Sequence, residues 1–455
     1  MKTKIVGIFV CMLLIANILP ISANMVTDKE TDNMNKSSSM GGWYEEIDGV
    51  KILHVNGSYY EMGYQHGYLL SDMVWENFRG AMNTYKQIMS YEDMLSLYEG
   101  LEEYIPQEIK DEMQGLADGS GLSFDNVSVI SILDFLGHDT TACVTGAAWD
   151  TATIDGELYH FRSFDWSLNI QDPETGTYMH DNYILFVRNP DSGYASIYPN
   201  YAGTIGNYGG VNEDGITIGS TVSWCMDDIS DVGIPHSIRI KWALDTSSNI
   251  EDAIDIINSN KTRGWNFIIS DSEEKIAVII EQSATHSFIG YWDDPEESNT
   301  PFYSIENVVR RGNFYVDRAM AELQRVRYKS TRFFVWLIQP IKIKLGIYDP
   351  YKYEYYKQIK HYQLLSKELT NNWGNLDLNL SMELLRSVYR GDNDIIFKIL
   401  KIIMPHRAYT NDNYQWVVCP VRNELVISFA QGETSAHENE VHYFKLDELW
   451  NATQP

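Results

Sequence analysis

The chain is poor in cysteine: 455 residues hold only Cys11, Cys143, Cys225 and Cys419. No two form a C-x-x-C pair, and the eleven histidines include no H-E-x-x-H run, so the sequence implies no metal and no cofactor. Positive charge is scarce as well. Thirty-five Lys and Arg face 63 Asp and Glu, a formal net charge of −28. That balance argues against nucleic acid as a partner and against general attraction to anionic membranes. The apolar run Ile5–Leu19 falls short of the roughly 20 residues a spanning helix needs. With Lys2 and Lys4 before it and Pro20-Ile21-Ser22-Ala23 after it, residues 1–23 read as a signal peptide cut after Ala23; an uncleaved anchor is the other reading. The expected location is secreted or extracytoplasmic. Residues 24–41, polar and without aromatics, read as a disordered leader. Three cysteines then remain, an odd number, so at least one thiol stays free. Cys143 is the expected free thiol, and Cys225–Cys419 is left open as a disulfide.

What surrounds Cys143 carries the chemistry. Alternating residues from Val144 to Trp149 and from Leu158 to Trp166 flank the Asp155-Gly156 turn, the pattern of a β-hairpin. The hairpin carries Cys143 on one strand and brings Arg162 and Asp165 back along its partner. A guanidinium lowers a thiol pKa and a carboxylate holds an amine in place, so the three make an activated nucleophile. Cleavage of the Ala142–Cys143 bond would free an α-amine on the same residue. Its pKa of roughly 8 suits a base near neutral pH. His160 is the only imidazole nearby, and this scheme does not use it. The competing reading is a small buried core cysteine.

The Cys–hairpin–Arg-x-x-Asp arrangement resembles the N-terminal-nucleophile hydrolases, and within them the acyl-coenzyme A:6-aminopenicillanate acyltransferase-like group. Choloylglycine hydrolases and phospholipase-B-like proteins are more distant likenesses. The stretch Gly57-Ser58-Tyr59-Tyr60-Glu61-Met62-Gly63-Tyr64-Gln65-His66-Gly67 matches the group's G-x-x-Y-E-x-G-x-Q-H-G opening. The resemblance implies an α+β fold, a four-layer αββα sandwich with a helical N-terminal segment. It also implies further site residues. Asn212, in Val211-Asn212-Glu213-Asp214-Gly215, falls on an N-E-x-G hairpin, although Asn also caps such turns. A backbone N–H of Val222 stands where relatives place an oxyanion donor. Asn307 is expected at a strand end, donating to an oxyanion or positioning the α-amine. Arg332, in Ser330-Thr331-Arg332-Phe333, resembles a second site arginine.

Helical spacing covers 60–90 and 92–118, so 42–142 reads as a helical propeptide-like segment and 143–450 as the catalytic domain. Strands are expected at 51–55, 183–187, 194–198, 265–269 and 276–281, a hairpin about an acidic turn at 209–219, a helix at 250–258, and a closing hairpin across 416–432. The aromatic stretch at about 333–370 departs from the family and reads as an insertion, either a packed helix–loop or an acyl-binding lid with membrane contact. The expected function is a self-processing cysteine amidohydrolase or acyltransferase acting on a small-molecule or lipid acyl substrate through a thioester. The rivals are a phospholipase-B-like lipid hydrolase and a non-catalytic binding protein on the same fold.

Overall fold

A computed structural model describes residues 41–136, 143–223, 225, 228–298, 302–324, 357–390 and 412–454. The signal and leader, Ala142, Arg332 and the first part of the 333–370 insertion lie outside the described residues. Two sheets form the centre. The larger has nine strands in the order β1-β2-β5-β6-β7-β8-β9-β10-β11, and the smaller has six, β12-β3-β4-β13-β14-β15. The large sheet comprises β1 Trp43–Ile47, β2 Val50–Gly57, β5 Tyr183–Pro190, β6 Ser196–Tyr201, β7 Gly209–Asn212, β8 Ile216–Val222, β9 Trp265–Asp271, β10 Ile276–Gln282 and β11 Ser287–Gly290. The small sheet comprises β3 Val144–Asp150, β4 Gly156–Asp165, β12 Val308–Arg311, β13 Asp412–Cys419, β14 Glu424–Phe429 and β15 His442–Lys445. Only the β2–β5 pair is parallel; the other ladders are antiparallel.

Strands β3, β4 and β12 face β8, β9 and β10 across the interior. Most strands are therefore buried on both faces and read as near-continuous apolar runs, such as Ile216–Val222, rather than as alternations. One helical layer covers the large sheet: α1 Tyr59–Leu69, α2 Ser71–Tyr85, α3 Tyr91–Glu102, α4 Gln107–Ser120, α5 Phe124–Ser131, α6 His236–Thr246 and α7 Ile250–Asn258. On the far side α8 Lys357–Asn371 and α9 Leu378–Arg390 pack on the small sheet through Leu365, Leu369, Met382 and Leu385. The order of layers is αββα. The described end of the insertion is thus a packed helix whose leucines belong to the core.

The Gly57–Gly67 motif has a structural account residue by residue. Ser58 and Glu61 form a capping box that starts α1. Gln65 bonds both backbone groups of Asn56, holding the helix to β2. His66 Nε2 accepts the Gly203 amide at 2.9 Å. Gly63 and Gly67 meet Gly115 and Gly119 where α1 crosses α4: a Cβ on Gly63 would lie 2.0 Å from the Glu112 carbonyl oxygen.

The 42–142 segment contains more than helices. Its strands β1 and β2 form one edge of the large sheet. Glu112 of α4 joins Arg188 and Lys241 in a buried ion network completed by Asp245.

Candidate active site

The β3–β4 hairpin builds the site. Val144 pairs with Ser163 and Thr145 with Arg162, so Cys143 comes to the end of β4. The turn is longer than a two-residue loop, because a bulge falls between Ala148 and Asp150 and Asp150 adopts φ 50°. The Asp165 amide donates to Cys143 Sγ at 3.3 Å, and the thiol reaches the Asp165 carbonyl at 3.6 Å. Arg162 is wholly buried. Its Nε donates to the Tyr208 carbonyl at 3.5 Å and Nη1 to the Ser163 carbonyl at 2.5 Å, while Nη2 is buried without a hydrogen-bond partner. Asp165 Oδ1 accepts from Ser163 Oγ at 3.2 Å and from the Tyr389 hydroxyl of α9 at 2.9 Å. The hairpin brings Cys143, Arg162 and Asp165 together.

Electrostatics differ from the expectation for the thiol. Burial pushes the Cys143 pKa up, and the opposing pull of Arg162 is the smaller effect. In the uncut chain the thiol is neutral. His160 is no base either: it bonds Ser270 Oγ at 2.8 Å and Thr145 Oγ1 at 3.3 Å, and burial, then Arg162, holds it down to about 3.

Of the remaining sequence assignments, Asn307 and Asn212 are engaged otherwise than expected. Asn307 starts the register of β12 instead of ending a strand. It adopts φ 54°, donates to Thr151 Oγ1 at 2.8 Å and sits beside Trp149 at the turn end of β3. Trp149 is six residues from Cys143, roughly 20 Å along a strand. Asn212 is consumed by structure: Nδ2 bonds the Leu244 and Ser247 carbonyls and Oδ1 accepts the Ile216 amide. Val222, expected to offer its backbone N–H, ends β8, and its carbonyl accepts from Asn313 Nδ2 at 3.0 Å. The fourth, Arg332, is outside the described residues.

The residues missed are more informative. The β12–β3 pairing ends at Arg311–Thr145, two residues short of Cys143, so the bend carrying Asn313 leaves β12 at the Cys143 end of β3. Asn207 is fully buried; its Oδ1 accepts the Gly209 amide at 3.2 Å, and its Nδ2 has no hydrogen-bond partner. The next residue, Tyr208, supplies the carbonyl that receives Arg162. Tyr414 pairs with Phe164 and its buried hydroxyl is also without a partner. Phe164, Tyr208 and Tyr414 stack at 4.7 and 5.0 Å, with the Arg162 guanidinium 5.5 Å from the Phe164 ring. Only the run Gly206-Asn207-Tyr208-Gly209-Gly210, a glycine-flanked amide before a strand, could have signalled Asn207.

Cys225 and Cys419 are both buried and are not bonded to each other, so the disulfide left open above is not formed. Among the described residues no group of three or more His, Cys, Asp and Glu is arranged to hold a metal ion, and no helix is long and apolar enough to cross a membrane.

Comparison with solved structures finds an N-acylethanolamine-hydrolyzing acid amidase ortholog of Caenorhabditis elegans at 14% identity and TM-score 0.34, covering 61% of this chain and 93% of that one. A conjugated bile acid hydrolase of Clostridium perfringens is also 14% identical at TM-score 0.34, covering 68% and 94%. Among curated sequences, an uncharacterized protein of Archaeoglobus fulgidus is 26% identical over 284 residues, covering 54% of this chain and 46% of the relative. Protein dcd1A of Dictyostelium discoideum is 22% identical over 303 residues, covering 59% and 66%. The chain thus spans from about half to two thirds of the length of these two relatives. Residues 164–333, from the end of β4 past β12, match the family described as Acyl-coenzyme A:6-aminopenicillanic acid acyl-transferase, and the chain is similar to that family there.

Proposed function

We propose that the protein is an N-terminal-nucleophile enzyme that hydrolyses an amide or transfers its acyl group, with Cys143 as nucleophile. One observation carries this reading: Cys143 Sγ lies against the Asp165 backbone, in a hairpin whose buried Arg162 keeps an unused N–H donor. A core cysteine of purely structural role needs no buried guanidinium beside it, and burying one with a donor unmatched is costly. The similarity at 164–333 supports the same reading.

In the uncut chain the thiol is held neutral by burial. Cleavage of Ala142–Cys143 supplies an α-amine on the same residue, which removes the thiol proton as Sγ attacks the acyl carbon. A C–S bond forms, and Asn207 Nδ2 and Arg162 Nη2 are the unengaged buried donors available to the developing oxyanion. The protonated amine then gives its proton to the departing nitrogen as the C–N bond breaks. Water discharges the thioester to a carboxylate, or an acceptor amine takes the acyl group. Asp165, held by Tyr389 and Ser163, orients the α-ammonium. Export of this enzyme, read from residues 1–23, belongs to the same proposal.

Intact mass and N-terminal sequencing of the purified protein test it. A large fragment starting at Cys143 is expected, co-eluting with the 24–142 piece because β1 and β2 stay in the sheet. Cys143→Ala should remain uncut and form no acyl-enzyme with p-nitrophenyl acetate. Full turnover by an uncut chain would defeat the mechanism.

A further inference from the structure

Behind the segment that carries Asn313 lies a buried charge cluster that the mechanism above does not use. Glu281, on β10, is fully buried. Its Oε1 accepts from Arg311 Nε at 2.7 Å and from the Val316 amide at 2.8 Å, and its Oε2 accepts from the Asp317 amide at 3.1 Å. The other side of the Arg311 guanidinium is held by Glu297, at 2.5 and 3.2 Å. The same turn is gripped through its carbonyls by Asn266, the strand neighbour of Glu281. Asn266 Nδ2 donates to Gly312 and Phe314 oxygens at 2.9 and 2.7 Å, and Thr221 adds a bond to Gly312 at 2.7 Å. Donors and acceptors of 312–317 are thereby clamped from two sides, and Asn313 stands between them.

We infer that Glu281 is a positioning residue of the active site: its carboxylate, oriented by Arg311, anchors the turn that carries Asn313 away from β12 at the Cys143 end of β3. The inference rests on the reading of Cys143 as nucleophile. Two carboxylates around one guanidinium in a dry interior are a costly way to gain stability, since apolar side chains of the same volume serve as well or better. A carboxylate is suited to this task because it accepts three N–H bonds at once, which neither an amide nor a protonated acid does in this geometry.

The arrangement also gates the site by pH. Burial raises the Glu281 carboxyl to about 7, Arg311 pulls it down and Glu297 pushes it further up. The other ionisable groups at the cluster are Tyr362 of α8, beside Arg311, and Asp317, whose carboxylate caps Met320. The facing residues of β9 and β11, Asn266 and Phe288, do not titrate. Below neutral pH a proton on Glu281 meets the N–H groups it should accept from, and the turn loosens.

The test compares the parent with Glu281→Gln and Glu297→Gln in the full protein. Acylation of Cys143 by p-nitrophenyl acetate, alkylation of Cys143 by iodoacetamide and hydrogen exchange of the 312–317 peptide are each followed by mass spectrometry from pH 5.5 to 9. In the parent, saturating acylation and exchange protection, corrected for intrinsic rates, should both show an acid limb with a midpoint near 7. Glu281→Gln should lower acylation at pH 8 at least tenfold, abolish the limb in exchange protection and expose 312–317, leaving acylation with the limb of the α-amine alone, while alkylation at each pH changes less than twofold. Glu297→Gln, which removes the charge that pushes Glu281 upward, should keep the rate at pH 8 and move the limb to lower pH. Acylation and alkylation falling together in Glu281→Gln would mean general disruption and overturn the positioning role. Unchanged acylation would overturn it directly. A parent that is not acylated at Cys143 would instead defeat the nucleophile reading, and the positioning role with it.

Discussion

Burial raises the Cys143 thiol while the adjacent Arg162 opposes it, so the cation alone does not make this residue reactive. All three described cysteines are buried, and Cys419 is itself pushed up to about 12 by burial. Fast labelling of Cys143 is therefore expected only after the α-amine is released. In the proposed mechanism the oxyanion role suits Asn207 better than Asn212, because the first keeps an unmatched buried N–H and the second has spent both of its own. Asn207→Ala should slow acylation of Cys143 by about 10²–10³-fold, the usual cost of removing one oxyanion donor, with a smaller fall in urea midpoint than Asn212→Ala, since Asn207 gives the fold one hydrogen bond, from the Gly209 amide. Asn212→Ala should do the reverse, lowering the midpoint and sparing the rate. Equal rates in parent and Asn207→Ala would remove Asn207 from the mechanism. Cys143, Arg162 and Asp165 were legible because one hairpin carries them and a turn sets its register. Tyr389 was not: it meets Asp165 across 224 residues, through helix packing that leaves no local pattern. Asn307 was misplaced because a strand was expected to end there, whereas β12 begins at Val308 and runs on toward Asn313.

At the scale of elements, the Gly57–Gly67 motif is a packing device. Gly63, Gly67, Gly115 and Gly119 let α1 and α4 cross backbone to backbone. Gly115→Ala would place a Cβ 2.1 Å from the Tyr60 carbonyl oxygen, a contact that only movement of backbone relieves. Alanine's better helix propensity, worth about 1 kcal/mol, offsets part of that cost. A net loss of about 2 kcal/mol is expected from chemical denaturation, in the range of overpacked cores; a stabilised variant would show that the helices can part freely. The paired strands were readable where turns punctuate them: β5–β6 about Asn189–Gly193, β7–β8 about Glu213–Gly215, β9–β10 about Ser272–Lys275. Helices α6 and α9 escaped for different reasons. Along α6, Arg239, Lys241 and Asp245 are buried with the apolar residues, so no polar face marks it. In α9 the apolar stripe is strong, and it packs both on neighbouring α8 and on a sheet whose strands are distant in sequence. The β1–β2 hairpin was half seen, as β2 alone, because Trp43–Ile47 carries two glutamates on an edge strand.

Over the whole molecule the buried titratable groups set how stability follows pH. Burial lowers His66 and His160 to about 3, and lowers His54 and His180 in the same direction. A histidine kept neutral in the fold contributes stability that is present above the unfolded pKa of about 6.5 and lost as pH falls below it. Glu281 works with the opposite sign. Its folded pKa of about 7 exceeds the ordinary 4.5, so its contribution is complete below 4.5 and is lost as pH rises through 7. Between pH 5 and 6.5 the unfolded chain takes up protons on histidines while the folded chain holds one on Glu281. The histidines outnumber it, and the protein should weaken as the medium acidifies. Glu281→Gln deletes an opposing proton, so its unfolding free energy should fall more steeply than the parent's over that window, by about 1.4 kcal/mol for each pH unit. Urea titrations at pH 5, 5.75 and 6.5 measure both slopes. Parallel lines would mean that Glu281 is ionised throughout, and the acid limb expected for acylation would then have to come from another group. A steeper line in the variant would join the two scales: the proton that steadies the folded molecule in acid is the same one that unfastens the turn carrying Asn313, so this chain gives up stability near neutral pH in order to hold its site in the working geometry.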